Sequence, residues 1–292
     1  MPQTQPPMLV DIDWLQSHLH DPNVRVLDCT TYMVAQPVGP SQIHSGRPEF
    51  DQSHIPGACH VDMVQDLSDP DGRYPYTLLS PEKFQALASR LGLHPDDHVI
   101  LYTNSSIVTL TRAWWVFYVM GQRKLSILNG NLKEWQRQGG EVTQEVQSIR
   151  SSQYPLPKPL TAHIAHMHDI QEALQSESDP MTLLNALAPE QFQGTGGAHY
   201  GRPGRIPDSL SLPARSLADA ETGKFLPTQT LKQMVIDAGI EPDVKVIHYC
   251  GGGIAASTTA FVLSMLGWKN WALYDNSLLE WSTQNDTPMI VG

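Results

Sequence analysis

One pattern recurs along this chain and limits its fold more than any single residue does. Val99-Ile-Leu-Tyr-Thr103 returns as Val246-Ile-His-Tyr-Cys250, and Met120-Gly121 returns as Leu266-Gly267. Ile127-Leu-Asn-Gly-Asn-Leu-Lys-Glu-Trp135 returns as Leu273-Tyr-Asp-Asn-Ser-Leu-Leu-Glu-Trp281. His54-Ile-Pro-Gly-Ala58 returns as Arg205-Ile-Pro-Asp-Ser209, and Val26-Leu-Asp-Cys29 as Leu183-Leu-Asn-Ala186. The strand ends lie 147 positions apart, the tryptophans 146 and the Ile-Pro turns 151. Matching order at a near-constant offset is a duplication. The 292 residues suffice for two domains of ordinary size. The first is expected over 8–146 and the second over 167–292. A linker over 147–166 joins them, stiffened by Pro155, Pro157 and Pro159.

Within each copy, strands alternate with helices. Val24 to Cys29 reads as a strand, and a long polar loop is expected from Val34 to Phe50. Ser80 caps a helix with Pro81 in its first turn, and Gly92 stops it. Val99 to Thr103 is a strand, Arg112 to Met120 an apolar helix, Leu125 to Asn129 a strand, and Asn131 opens a short helix. That alternation predicts an α/β fold, with a mainly parallel sheet flanked by helices in each domain.

The copies differ where chemistry is expected. The second strand ends in Cys250-Gly-Gly-Gly and runs into an apolar helix that stops at Gly267. Three glycines let the backbone curl so that successive N–H groups converge on one atom. The helix start adds its positive dipole end. A thiol at that focus reacts as the thiolate. A buried, inert cysteine is the bland alternative, but a slack turn seldom needs three glycines directly after a strand. A Cys-x5-Arg phosphatase would need arginine at Ala256, and alanine offers a phosphoryl group no fork of donors. Thr103 takes the place of the thiol in the first copy and no glycine curl follows, so that copy is expected to be catalytically silent.

The net charge of −11 argues against nucleic acid and anionic membrane surfaces as partners. No run is long enough to span a bilayer, and Met1 to Pro7 has no signal-peptide pattern. Cys29, Cys59 and Cys250 cannot all pair, which predicts a cytoplasmic protein. His163, His166 and His168 have no second ligand set and read as solvated linker residues, so no metal is expected.

His54-Ile-Pro-Gly-Ala, Arg112-Ala-Trp-Trp, Asn129-Gly-Asn-Leu-Lys-Glu-Trp, the Cys250 loop and Tyr274-Asp-Asn-Ser-Leu-Leu-Glu-Trp together resemble the tandem rhodanese family over nearly the whole chain. These are the thiosulfate and 3-mercaptopyruvate sulfurtransferases. The resemblance implies two rhodanese-like domains, no cofactor, and a persulfide on Cys250. A small anionic donor would supply the sulfur, and a thiol or cyanide would accept it. The amides of Gly251, Gly252, Gly253, Ile254, Ala255, Ala256 and Ser257 would stabilise that persulfide. A persulfide carrier with little turnover on small donors is the alternative.

This chain departs from the family at its donor sites. Thiosulfate-type members carry two basic residues after the cysteine, where Gly251 and Gly252 stand here. Mercaptopyruvate-type members place a hydroxyl at Gly252, a proton-relay Asp and His at Val64 and Tyr76, and a substrate arginine at Gln191. Arg202 and Arg205, before Ile206-Pro207, are therefore the expected donor-binding cations, with a structural contact like that of the histidine in His54-Ile-Pro-Gly as an equal alternative for Arg205. Arg112 is expected in a structural or interdomain ion pair, and Asp275 and Glu280 as loop braces. Trp114, Trp115, Trp135, Trp271 and Trp281 are expected in the core, and Cys29 and Cys59 as packed thiols.

Overall fold

The computed structural model describes residues 5–175 and 181–292. The first half holds strands β1 (Leu9–Val10), β2 (Val24–Asp28), β3 (Thr31–Val34), β4 (Gln42–Ser45), β5 (Cys59–His60), β6 (His98–Tyr102) and β7 (Leu125–Leu128). The second holds β8 (Ile164–Ala165), β9 (Met181–Asn185), β10 (Ser209–Ser211), β11 (Lys245–Tyr249) and β12 (Trp271–Tyr274). Helices α1 (Ile12–His18), α2 (Arg47–Gln52), α3 (Pro81–Arg90), α4 (Ile107–Val119) and α5 (Leu132–Arg137) belong to the first half. Helices α6 (Met167–Gln175), α7 (Pro189–Gln193), α8 (Thr228–Asp237), α9 (Ala256–Met265) and α10 (Ser277–Trp281) belong to the second.

The two main sheets run β1-β7-β6-β2-β5 and β8-β12-β11-β9-β10, parallel throughout. They have the same order under the repeat, so the duplication read from sequence is a duplication of topology. Helices cover the sheets, and every residue of β6 is buried, as a parallel strand covered on both faces requires.

The halves meet along α4 and α9. All of α4 but Tyr118 is buried, as is α9 from Ala256 to Leu263. A helix apolar on all sides needs such a position. Thr111 and Thr258, equivalent residues 147 apart, touch there with their hydroxyl oxygens 2.8 Å apart. They mark a pseudo-two-fold axis. Around it the Asp275 carboxylate accepts from the Leu78 amide at 2.7 Å, and Asn129, its counterpart, accepts from the Phe225 amide at 2.9 Å.

Arg112 breaks this symmetry. It is 1% exposed, pairs with Asp275 at 2.7 Å, and donates to the carbonyls of Gly253 at 3.2 Å and Tyr76 at 2.5 Å. Its guanidinium also sits 4.4 Å from the Trp115 ring centroid. This is the interdomain ion pair expected of it. The five expected core tryptophans are all buried.

Three expectations change. The segment 147–166 is not a free spacer. Tyr154 is buried with its hydroxyl donating to Gln122 at 3.0 Å, and Ile164–Ala165 adds an edge strand to β12. The prolines masked two apolar anchors. His163 is not solvated: its Nδ1 donates to the Trp271 carbonyl at 2.9 Å and its ring packs on that indole. The polar stretch after Val34 contains β4, which pairs antiparallel with β3, and then α2.

Truncating Arg112 to Ala strands Asp275 and two carbonyls in this seam. The cost of breaking such a buried pair is about 3–5 kcal/mol. Urea denaturation of Arg112→Ala is expected to show that loss. A midpoint equal to wild type would mean the pair contributes nothing.

Burial also lowers the imidazole pKa of His98 to about 4 and of His248 to about 3, from 6.5. The unfolded chain binds these protons first as pH falls, so stability is lost from about pH 6.5 downward through pH 4. The urea midpoint is expected to fall across that window. In His248→Gln, which keeps a polar group but cannot titrate, the fall should be shallower.

Candidate active site

Strand β11 ends at Tyr249 and delivers Cys250, 2% exposed, to the domain seam. The Cys250 amide donates to Ser277 Oγ at 3.0 Å, and that hydroxyl donates to the Tyr274 carbonyl. The carbonyls of Cys250 and Gly251 accept from the Leu278 and Leu279 amides at 3.2 and 2.8 Å. That of Gly253 accepts from Arg112. The loop's carbonyls are thus tied to α10 and to the first domain. Its amides from Gly251 to Ala255 donate to no protein group among the described residues. They, with the start of α9, are the donors left for an anion carried on sulfur.

Ser257 does not belong to that set. Its amide donates to the Ile254 carbonyl at 3.1 Å, its hydroxyl to the same carbonyl at 2.6 Å, and Thr111 Oγ1 lies 2.9 Å from it. It closes the turn into α9 and joins the domains. Two of the glycines have steric reasons. Gly253 has φ +75°, and a Cβ there would meet the Asp275 carbonyl at 2.2 Å. A Cβ on Gly251 would lie 1.8 Å from the Tyr200 ring.

A cavity of about 410 Å³ opens over the thiol. Leu187, Gln191, Tyr200 and Arg215 line it from the second domain, and Met33, Tyr76 and Val108 from the first. Arg215, on the 3-10 turn Ala214–Leu217, is the one charged residue in the lining, and it makes no ion pair among the described residues.

Arg202 and Arg205, the donor-binding cations expected from sequence, are spent elsewhere. Arg202 donates to the carbonyls of Ser282, Gln284 and Thr287 at 3.1, 2.6 and 2.7 Å and to the Thr287 hydroxyl. Arg205 donates to the Gly292 carbonyl at 2.6 Å and stacks over Phe192. Neither lines the cavity; both tie down the C-terminal segment. The sequence offered a signal for Arg215: it stands 151 positions after Val64, the same offset as the Ile-Pro turns. The β3–β4 arm, whose Met33 and Ser41 edge the cavity, was hidden in a stretch that reads as loop.

The remaining residues fall as follows. Val64 is exposed and off the cavity, while Tyr76 and Gln191 line it. Burial pushes the Cys29 thiol up strongly and Cys59 to about 11, so neither is a thiolate near neutral pH. Burial and the neighbouring Cys250 raise the Tyr200 phenol. Glu280 accepts from the Tyr274 hydroxyl at 2.8 Å and so braces the end of β12.

A duplicated α/β protein with one of its three thiols at the domain seam, followed by a run of unpaired amides, is the class these features define. The chain belongs to the Rhodanese-like domain family, which matches residues 11–138 and 169–284. It is 29% identical to the 3-mercaptopyruvate sulfurtransferase of Escherichia coli K12, covering 96% of each chain. It is 28% identical to the sulfur carrier protein TtuD of Thermus thermophilus, covering 100% of this chain and 99% of that one. The crystal structure of SseA from Escherichia coli, described as a 3-mercaptopyruvate sulfotransferase, superposes with a TM-score of 0.80 at 26% identity, over 93% of this chain and 99% of that one.

The contact between Gly251 and Tyr200 makes a paired test. Gly251→Ala alone is expected to slow Cys250 alkylation by iodoacetamide at least tenfold, because ring and loop must separate. Adding Tyr200→Ala removes the clash and should restore most of the rate. Equal rates in wild type and Gly251→Ala would mean the ring does not lie on the loop.

Proposed function

We propose that this protein is a sulfurtransferase carrying a sulfane sulfur on Cys250. The observation that carries the reading is the meeting of three things in one interdomain cavity: the thiol, the unpaired loop amides and one unpaired arginine. The Cys250 thiolate attacks the terminal sulfur of a small anionic donor. The donor's bond to that sulfur breaks, its electron pair leaves with the remainder, and Cys250 keeps a persulfide anion. The amides from Gly251 to Ala256 stabilise that charge as they would an oxyanion. A thiol or cyanide then attacks the outer sulfur and regenerates the thiolate. Arg215 captures the donor's anionic group. No metal or organic cofactor enters these steps. Residues 8–146 act as a silent domain that walls the cavity, and 167–292 as the catalytic one. Cys29, Cys59 and Cys250 are unpaired thiols, and among the described residues no helix is long and apolar enough to cross a membrane. A reducing cytoplasm suits these thiols. The similarity to the Thermus carrier favours one second reading, a persulfide carrier with little turnover on small donors. Steady-state turnover separates the two.

Cys250→Ser is expected to abolish transfer to cyanide, while Cys29→Ser and Cys59→Ser keep most of it. Full activity in Cys250→Ser would end this reading. A charge-assisted hydrogen bond to a carboxylate or sulfonate is worth about 1.5–3 kcal/mol, or roughly tenfold and upward in affinity. Arg215→Ala is therefore expected to raise KM about tenfold with an unchanged melting temperature. Arg202→Ala and Arg205→Ala should melt earlier and keep wild-type KM. The reverse pattern would return the donor site to Arg202 and Arg205.

A further inference from the structure

The cavity over Cys250 is poorly matched to an inorganic donor. Its volume is about 410 Å³. At about 30 Å³ per water that is room for roughly thirteen waters, whereas thiosulfate has five heavy atoms. Its wall is largely carbon, from Met33, Val108, Leu187, Ile254 and the rings of Tyr76 and Tyr200. Against that wall stands one cation, Arg215, and no carboxylate. One guanidinium neutralises one negative charge. A dianion such as thiosulfate must leave its second charge to the loop amides alone, with largely apolar groups around the rest of it. Tyr200 adds shape to this argument. Its ring lies so close to Gly251 that no side chain fits there, and it lines the same cavity as Cys250, within reach of an apolar donor.

Building on the sulfurtransferase reading, we propose that the donor is an organic sulfane monoanion. Its apolar, ring-sized body packs against Tyr200 and the β3–β4 arm, and its anionic head meets Arg215. Its terminal sulfur reaches Cys250. In the transfer step the thiolate attacks that sulfur and the donor's bond to it breaks. The organic remainder leaves with the bond's electron pair, as a sulfinate does from a thiosulfonate. Cys250 is left as the persulfide anion, and no outside oxidant or reductant is needed.

Thiosulfonates test this directly. Benzenethiosulfonate and methanethiosulfonate share head group and charge and differ in the ring; thiosulfate supplies the dianion. Intact mass follows the rate at which each adds one sulfur to the protein, divided by its rate with free cysteine. Benzenethiosulfonate is expected to exceed methanethiosulfonate at least tenfold, with thiosulfate slowest. Tyr200→Ala should cut the benzene-to-methane ratio about tenfold, and Tyr200→Phe should preserve it. The ratio is taken within one preparation, so partial unfolding of a variant cancels. A ratio near one in wild type, a ratio indifferent to Tyr200→Ala, or thiosulfate as the fastest donor overturns the organic donor while leaving sulfur transfer intact. If none of the three donors loads Cys250, the sulfurtransferase reading fails and this inference fails with it.

Discussion

Arg112 rises from α4 in the domain without the thiol and ends on the Gly253 carbonyl and the Asp275 carboxylate in the domain that has it. It also holds the Tyr76 carbonyl, so one buried guanidinium fixes the reactive loop and part of the cavity wall. A buried charge is costly unless it is paired and hydrogen-bonded. Arg112 meets that condition through three oxygens and the Trp115 face. The same guanidinium occupies the Gly253 carbonyl. With the carbonyls of Cys250 and Gly251 held by α10, the loop amides are left without protein partners. The electrostatics at the sulfur therefore depend on a residue in the other half of the chain.

The duplication gives this dependence its geometry. Equivalent threonines meet on the pseudo-dyad, and Asp275 and Asn129 make matching contacts on either side of it. The copies diverge at the functional positions. Where one strand ends in Cys250 and a glycine loop, the other ends in Thr103, whose hydroxyl lies 2.9 Å from Ser105 Oγ. Where the first copy has Arg112, the second has Thr259, bonded to His248 at 2.8 Å. The first copy lacks a thiol at that position and supplies instead the cation in the seam and the arm along the cavity.

Much of this was legible in the sequence because it rests on local rules. Strand and helix periodicity, glycine stops, the Ser80 cap and the constant offset specified two parallel-sheet domains and singled out Cys250. Arg112 could be assigned to an ion pair because a lone arginine opening an apolar stretch needs a partner. The two expected cations stand away from the cavity for a different reason. Arg202 and Arg205 lie near the thiol in sequence pattern. Which cation faces the cavity depends on where the C-terminal carbonyls of Gln284, Thr287 and Gly292 end up, and those are long-range contacts. Ser257 likewise reads as part of the glycine curl, yet its amide is taken by the helical turn it begins. The wall contributed by Met33 and Ser41 needed the β3–β4 pairing, which a polar stretch does not announce.

The central claim is that Cys250 alone holds transferable sulfur under the loop amides. Peptide-level mass analysis of the intact protein, after brief exposure to a sulfane donor and then to cyanide, tests it most directly. The account predicts one added sulfur on the peptide containing Cys250, none on those containing Cys29 or Cys59, and its complete removal by cyanide as thiocyanate. Sulfur found on Cys29 or Cys59 instead, or a Cys250 adduct that cyanide cannot discharge, would contradict it.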